Sequence, residues 1–382
     1  MNADADTIDV LVIGAGMAGA SLAYFLSASR RVVVVEAESQ PGYHSTGRSA
    51  AMFMESYGTP TVRALTRASR AFYMSPPTGF ASTALLRPRG ALLVAAPDQE
   101  TLLDSSEAEL RSHAPQLQRL DRAAVLARVP VLRPEQVIGG LFDPDAADID
   151  VHALHQGFLR GARANGARIE TSARVTALAR DAGGWRVATP QHQWRATVVV
   201  DAAGAWADEV AQLAGVATIG LQPRRRAAFL FAPPAGVATT DWPCVVGLDE
   251  SWYFKPDAGV LLGSPANADP VAPHDVVPEE LDIATGIARI ETMTTLTIRR
   301  PSHTWAGLRS FVADGDLVAG FDPGAPGFFW LAAQGGYGIQ TAPAMGALCA
   351  AQICGEPLPE SARSAGVDWH HLDVARLRRL SA

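Results

Sequence analysis

Ile13-Gly14-Ala15-Gly16-Met17-Ala18-Gly19 is the stretch on which the fold turns. A lone GxGxxG is weak evidence. This one follows a short apolar run, Asp9 to Gly14, that reads as a strand, and it opens Met17 to Ala28, where apolar residues recur at the spacing of a helix. Arg31 to Glu36 then carries four valines in succession, the pattern of a strand buried on both faces of a parallel sheet. Strand, glycine turn, helix and strand form a βαβ unit, and Glu36 closes it 20 residues after Gly16. Gly14 allows the tight turn, Gly16 lets backbone approach a pyrophosphate, and Gly19 lets the helix pack on the sheet. The helix N-terminus at Met17 and Ala18 attracts phosphates. A carboxylate at Glu36, with Ala37 beside it, accepts hydrogen bonds from ribose hydroxyls and repels a 2′-phosphate.

The chain has 382 residues, enough to bury a sizeable core in two domains. It is 48% hydrophobic and 19% charged with a net charge of -7, so no global positive field exists to hold nucleic acid or anionic lipid. Of 32 Lys+Arg only Lys255 is a lysine, a bias that a GC-rich coding genome explains for most positions. Cys244, Cys349 and Cys354 form neither an even framework nor a CxxC; they point to a reducing compartment, the cytoplasm, and to no metal site. Ile8 to Ala28 is apolar enough to imitate a membrane span or signal sequence. No basic segment precedes it, and Asp9, Gly14, Gly16, Gly19 and Ser21 interrupt it.

Beyond the βαβ unit, His44 to Ala51 is a segment rich in small and polar residues, followed by a helix at Pro60 to Tyr73 that Pro76 and Pro77 end. Strands are read at Ala91 to Ala96 and Val137 to Phe142, with helices at Gln99 to His113 and Ile149 to Ala164. Arg168 to Ala173, Arg174 to Ala179 with Trp185 to Ala188, and Trp194 to Asp201 read as a β-meander. A proline-rich stretch carries strands at Ala227 to Phe231 and Val260 to Gly263 and a helix at Pro278 to Met293. Buried strands return at Leu317 to Gly320 and Phe328 to Ala332. Gln334-Gly-Gly-Tyr-Gly then opens a helix to Cys354.

Position favours FAD over NAD. The fingerprint lies early in a long chain, and a second glycine-led helix start, Gln334 to Gln340, lies late. An extended FAD uses both, its pyrophosphate at the first helix and its flavin N1 and C2 oxygen at the second.

Several longer blocks resemble the D-amino-acid oxidase and glycine oxidase family of flavoproteins, most closely its D-arginine dehydrogenase members, over nearly the whole chain. They are Gly14 to Gly19, Pro41-Gly-Tyr-His-Ser-Thr-Gly-Arg-Ser-Ala-Ala, Asp148-Ile-Asp, Asp201-Ala-Ala-Gly-Ala-Trp and Leu221-Gln-Pro-Arg-Arg-Arg, with Gly263-Ser-Pro-Ala-Asn-Ala-Asp-Pro, Trp305-Ala-Gly-Leu-Arg-Ser and Ala333-Gln-Gly-Gly-Tyr-Gly-Ile-Gln-Thr. The resemblance implies a mixed α/β fold: a Rossmann-type FAD-binding domain (1–84, 146–222 and 305–382) with an inserted antiparallel-sheet substrate-binding domain (85–145 and 223–304). It implies noncovalent FAD and oxidation of an amino acid to an imino acid, which water converts to a 2-oxo acid and ammonia. The electron acceptor it implies is a quinone or another carrier rather than oxygen, so peripheral membrane association stays open.

Carried over residue by residue, the resemblance implies that Ser45, Thr46, Arg48, Ser49 and Ala50 line the isoalloxazine and that Val175 flanks the adenine. Ala203, Gly204 and Trp206 lie in the Asp201 block, and Gly335, Gly336, Tyr337, Gly338, Ile339 and Gln340 close the flavin's pyrimidine edge. Arg226 and Arg309 clamp the substrate carboxylate, with Tyr57 and Tyr253 adding hydroxyls. On spacing alone, Arg224 and Arg226 share a face of a strand and Arg225 takes the other, without a choice among the three. Ala50, Met52, Met54, Ala91, Cys244, Val246, Gly336 and Ile339 surround the substrate. Here the chain departs from the resemblance: Ala91 stands where a guanidinium-binding glutamate is expected, and Met52 and Met54 replace a histidine and a threonine. An unpaired buried cation costs several kcal/mol, and methionines make an adaptable apolar wall, so an apolar or aromatic D-amino acid is expected. Glu55 is the one nearby carboxylate that could restore the lost charge. A secondary or cyclic amino acid of the sarcosine or proline kind is the alternative substrate.

Overall fold

The computed structural model describes residues 6–111 and 114–379. The fingerprint folds as read: β1 (Asp6–Ile13), α1 (Met17–Leu26) and β2 (Val32–Val35), with β1 and β2 parallel. On its other side β1 pairs in parallel with Gln193–Asp201, and all four valines of β2 are buried. This first sheet has eight strands; beyond β2 lies Arg168–Glu170, and Gln193–Asp201 is flanked further by Gly184–Ala188 and, along its last turn of register, by Phe328–Ala332.

The expected meander is only partly present. Ala177–Asp181, Gly184–Ala188 and Gln193–Asp201 run antiparallel in sequence order, but Arg168–Glu170 lies at the far edge, parallel to β2. The helix before it changes sheets: Val151–Ala164 leaves from Ala147–Ile149 of a separate three-stranded sheet and delivers Arg168–Glu170 to the open edge of β2. That helix starts two residues later than the sequence spacing predicts, because Ile149 belongs to a strand and the Asp150 carboxylate caps the helix by accepting from Ala153 N at 2.8 Å. The charged helix spans Glu100–Arg111; its expected end at His113 lies outside the described residues.

A second sheet of nine strands takes its members from residues 91–143, 222–270 and 303–311. Its strands are antiparallel except for Cys244–Gly247 beside Ala91–Ala95. A three-stranded sheet of Met52–Phe53, Ala147–Ile149 and Leu86–Pro88 lies between the two in sequence.

The glycine-rich segment near the C-terminus is not the start of a helix. Ala333 and Gly335 both adopt positive φ, 53° each, and residues 335–341 form turns before the helix Ala342–Cys354. Pro343 in its first turn marks where that helix begins.

Behind α1, Tyr24 and Phe25 meet Phe72, Phe80 and Phe158, whose ring centroids lie 4.9–6.3 Å apart. Phe158 is fully buried there. Phe158→Ala removes the ring shared by four of these contacts and should destabilise the chain by about 3–5 kcal/mol in urea unfolding, with the nucleotide turn itself unchanged.

Candidate active site

A cavity of about 410 Å³ joins the two sheets' functional ends: its lining includes Gly14, Gly16, Glu36 and Val175 as well as Arg226, Tyr253 and Arg309. The nucleotide end is shaped by missing side chains. Gly14 has φ +103°, and a Cβ there would stand 2.5 Å from the Ala202 carbonyl oxygen. A Cβ at Gly19 would stand 1.9 Å from the Gly14 carbonyl oxygen, so helix and turn touch through bare backbone. At Gly16 an added Cβ would meet only Thr46 Oγ1, at 3.5 Å, which leaves the turn open towards the cavity. The Glu36 carboxylate braces this turn, accepting from Ala15 N at 2.8 Å and from Glu38 N at 3.0 Å, and still lines the cavity. Met17 N donates to Thr46 Oγ1 at 2.9 Å, an anchor that no sequence motif announced.

The segment Ser45–Ala50 lines the middle of the cavity and is stitched to the second sheet. Ser45 Oγ donates to the Leu308 carbonyl at 2.6 Å, and the Arg48 guanidinium reaches Asp275 and the carbonyls of Val276 and Ala306. Arg48 therefore braces the segment, and its fork is not free for a ligand. His44 Nε2 lies 3.0 Å from Glu38 Oε1, with its ring against Trp206.

At the other end, Gln222–Phe231 pairs with His303–Phe311 so that Arg226 opposes Gly307 and Arg224 opposes Arg309. Arg226 and Arg309 are thus diagonal neighbours on one face. Arg225 points the other way into Glu279 and Asp282, and Arg224 donates to the Ala268 carbonyl. Geometry thereby selects Arg226 among the three arginines. Arg226 Nε donates to the Asn267 carbonyl, and among the described residues no carboxylate forms an ion pair with Arg226 or Arg309. Burial and then the charge of Arg309 push the Arg226 guanidinium down to about 10. Burial also works against Arg309, but Tyr57, Tyr253 and a hydrogen bond to Tyr57 outweigh it and hold Arg309 above its ordinary range. Arg309 lies against Gly336, where a Cβ would come within 2.8 Å of its Nη1.

Of the residues expected around flavin and substrate, Met17, Ala18, Ala37, Ser45, Thr46, Arg48, Ser49, Ala50, Ala203, Gly204, Trp206, Gly335, Gly336, Gly338 and Ile339 line this cavity. Gly19, Tyr337 and Gln340 stand behind it. Tyr337 packs edge-on against Tyr57 at 5.2 Å, burial raises its hydroxyl to about 12, and Gln340 Oε1 accepts from Met54 N. Tyr57, Met52, Met54, Ala91, Cys244 and Val246 are also outside the lining. Ladder register nevertheless puts Ala91, Cys244 and Val246 on the face that carries Tyr253. Glu55 is taken, since Arg70 Nε donates to it at 2.6 Å. Sequence reading did not find Glu209, Val210 and Leu213, which line the nucleotide end from a short helix that carries no recognisable motif.

The profile of the DAO family, FAD dependent oxidoreductases, matches residues 9–352. The chain belongs to that family. It is 26% identical over 365 residues to a glycine oxidase of Bacillus licheniformis, covering 92% of this chain and 94% of the relative. It is 27% identical over 266 residues to the mitochondrial dimethylglycine dehydrogenase of Rattus norvegicus, 68% of this chain but only 31% of the relative, so the chain spans about a third of the length of that enzyme. In fold it is similar to L-proline dehydrogenase from P. horikoshii, with a TM-score of 0.79, 21% identity and coverage of 98% and 99% of the two chains. The cofactor is FAD, and the bare turn at Gly14 and Gly16, the Glu36 carboxylate and the cavity that continues from them to Arg226 and Arg309 fit it. Gly19→Ala should abolish stable FAD retention, read as loss of flavin absorbance after gel filtration, because backbone carbonyl blocks the added methyl.

Proposed function

We propose that this chain oxidises the Cα–N bond of a D-amino acid with an apolar or aromatic side chain. One observation carries the reading: two guanidinium groups, side by side at one end of the FAD cavity, with no carboxylate among the described residues in an ion pair with either. A planar fork is the best receptor for a carboxylate, and fixing the carboxylate orients the Cα–H bond. Tyr57 and Tyr253 supply hydroxyls beside the arginines.

FAD, when bound, supplies the hydride acceptor at its N5. The chain's residues bind the anion, orient the substrate and keep its amine in a partly buried site, where burial favours the neutral form. With a neutral amine, hydride loss from Cα gives the protonated imine, and addition of water to it yields the 2-oxo acid and ammonium. No side-chain base is needed in this account. His44, the one histidine in the cavity lining, is already paired with Glu38.

The side-chain wall supports an uncharged substrate. Ala91 offers no carboxylate, Glu55 is paired with Arg70, and Asp148 is held below the usual carboxylate range, Lys255 and Arg89 outweighing the effect of burial. Two further carboxylates lie nearby: Asp143, opposite Ala91 in register, to which Ser56 donates, and Glu250, which acts on Arg226 and Tyr337 from a distance. Steady-state rates on D-Leu, D-Met, D-Phe, D-Lys and D-Arg test the proposal: the apolar and aromatic acids should be preferred, and a preference for D-Arg would overturn it and point to Asp143 or Glu250 as counter-ion. A second reading, a secondary or cyclic amino acid of the sarcosine or proline kind, is favoured by the names of the dimethylglycine and proline relatives and is read from the same assay with sarcosine and L-proline added.

The carboxylate clamp predicts that Arg226→Lys and Arg309→Lys raise KM by about 10- to 100-fold, the loss of a charged hydrogen bond, while flavin content stays at one per chain. We also propose that FAD is held noncovalently and reoxidised by a quinone or another carrier rather than oxygen. Acid precipitation should release all the yellow colour into the supernatant. Turnover should reduce a quinone or dye much faster than it forms peroxide.

A further inference from the structure

Four consecutive residues beside the arginine pair are each tied to a different part of the fold. Met54 N donates to Gln340 Oε1 at 3.3 Å, Glu55 accepts from Arg70, Ser56 Oγ donates to Asp143 Oδ2 at 2.6 Å, and Tyr57 packs on Tyr337 at 5.2 Å, beside Arg309, whose charge it favours. Glycine at 58, with φ +93°, follows at once and turns the chain into the helix Pro60–Met74. Of these ties the one at Ser56 is sealed on both sides: Ser56 is 5% and Asp143 2% exposed. Asp143 forms no ion pair among the described residues, and its other oxygen accepts from Asp145 N at 3.1 Å. Asp143 closes the strand Gly139–Asp143, opposite Ala91, so the hydroxyl fastens the segment to the second sheet, the same sheet that carries Arg226 and Arg309.

We propose that Ser56 and Asp143 are positioning residues that hold Tyr57 on Arg309 and thereby set the orientation of the carboxylate fork. The inference rests on the reading of Arg226 and Arg309 as the carboxylate clamp. Ser56 touches neither cofactor nor substrate; it acts through its neighbour. Without the Ser56 hydroxyl the Asp143 carboxylate loses its only side-chain partner among the described residues, and the backbone from Met54 to Gly58 loses its tether to the second sheet. The Tyr57 oxygen is then no longer kept on the Arg309 guanidinium, which is free to turn towards Tyr253 or Gly336. Burial already pushes the Asp143 carboxyl above its ordinary range, and the Ser56 hydroxyl is among the groups that oppose that shift.

The test uses the FAD-loaded full chain and acetate as the probe of the clamp, with its dissociation constant read from the shift it causes in the flavin absorbance. Acetate needs the two arginines and no turnover, so the result stands apart from whether any D-amino acid is oxidised. Ser56→Ala should weaken acetate about tenfold, the loss of one hydrogen bond to a charged group, with flavin content unchanged, and Ser56→Thr should restore it to within about twofold. In a Tyr57→Phe background, Ser56→Ala should add less than about twofold, because two residues acting through one contact are not additive. Asp143→Asn, which keeps an oxygen for the Ser56 hydroxyl, covers the case in which Ser56→Ala fails to fold, and its acetate affinity should stay within about twofold of the unaltered chain. An unchanged affinity in Ser56→Ala, an undiminished effect in the Tyr57→Phe background, or a large loss in Asp143→Asn overturns the proposal.

Discussion

Two positive charges buried side by side are unfavourable in any fold, and Arg226 and Arg309 are kept that way by the tertiary structure. The ladder between Gln222–Phe231 and His303–Phe311 sets their diagonal spacing, the Asn267 carbonyl holds one, and Tyr57 with the bare backbone of Gly336 accommodates the other. Among the described residues no acidic side chain forms an ion pair with either, and Glu250 favours the Arg226 charge only from a distance, although three carboxylates stand around Arg225 one residue away. The substrate carboxylate proposed for this site is the anion that would relieve the pair.

The two sheets contribute unlike things. The first sheet shapes backbone: glycines at 14 and 19 let turn, helix and the Ala202 carbonyl approach closer than any side chain permits. The second sheet supplies side chains, with arginines and a tyrosine on one face. Between them the segment from Ser45 to Ala50 belongs to neither sheet and is fastened to the second by Ser45 and Arg48. Arg48 shows why guanidinium is needed at one position of an arginine-rich chain, since it serves one carboxylate and two carbonyls at once, which suits a planar fork better than a single ammonium. The only lysine, Lys255, is in contrast 6% exposed and donates to Asp148 at 2.7 Å, joining the second sheet to the small sheet that carries Met52.

Legibility followed locality. The βαβ unit, the valine strand and the proline-initiated helix are written in patterns a few residues long, and they folded as read. The meander was misjudged because nothing local in Arg168–Glu170 tells a meander strand from an edge strand; only its pairing with β2, far back in the chain, puts it at the opposite edge. The turn at Gln334 looks like a helix start in sequence, since glycines suit both. The positive φ values of Ala333 and Gly335 put the helix eight residues later, at Ala342.

The sequence by itself determined the dinucleotide turn, because there the chemistry is a matter of which residues lack side chains at fixed short spacing. With the family resemblance it also narrowed the proposed carboxylate receptor to three adjacent arginines and one distant one. Only the tertiary structure decided which of the three meets Arg309, that Glu55 is consumed by Arg70, and that Arg48 braces rather than binds. Each of those outcomes depends on which side chain arrives from a strand or helix far away in the chain, and strand register, not local pattern, sets that meeting.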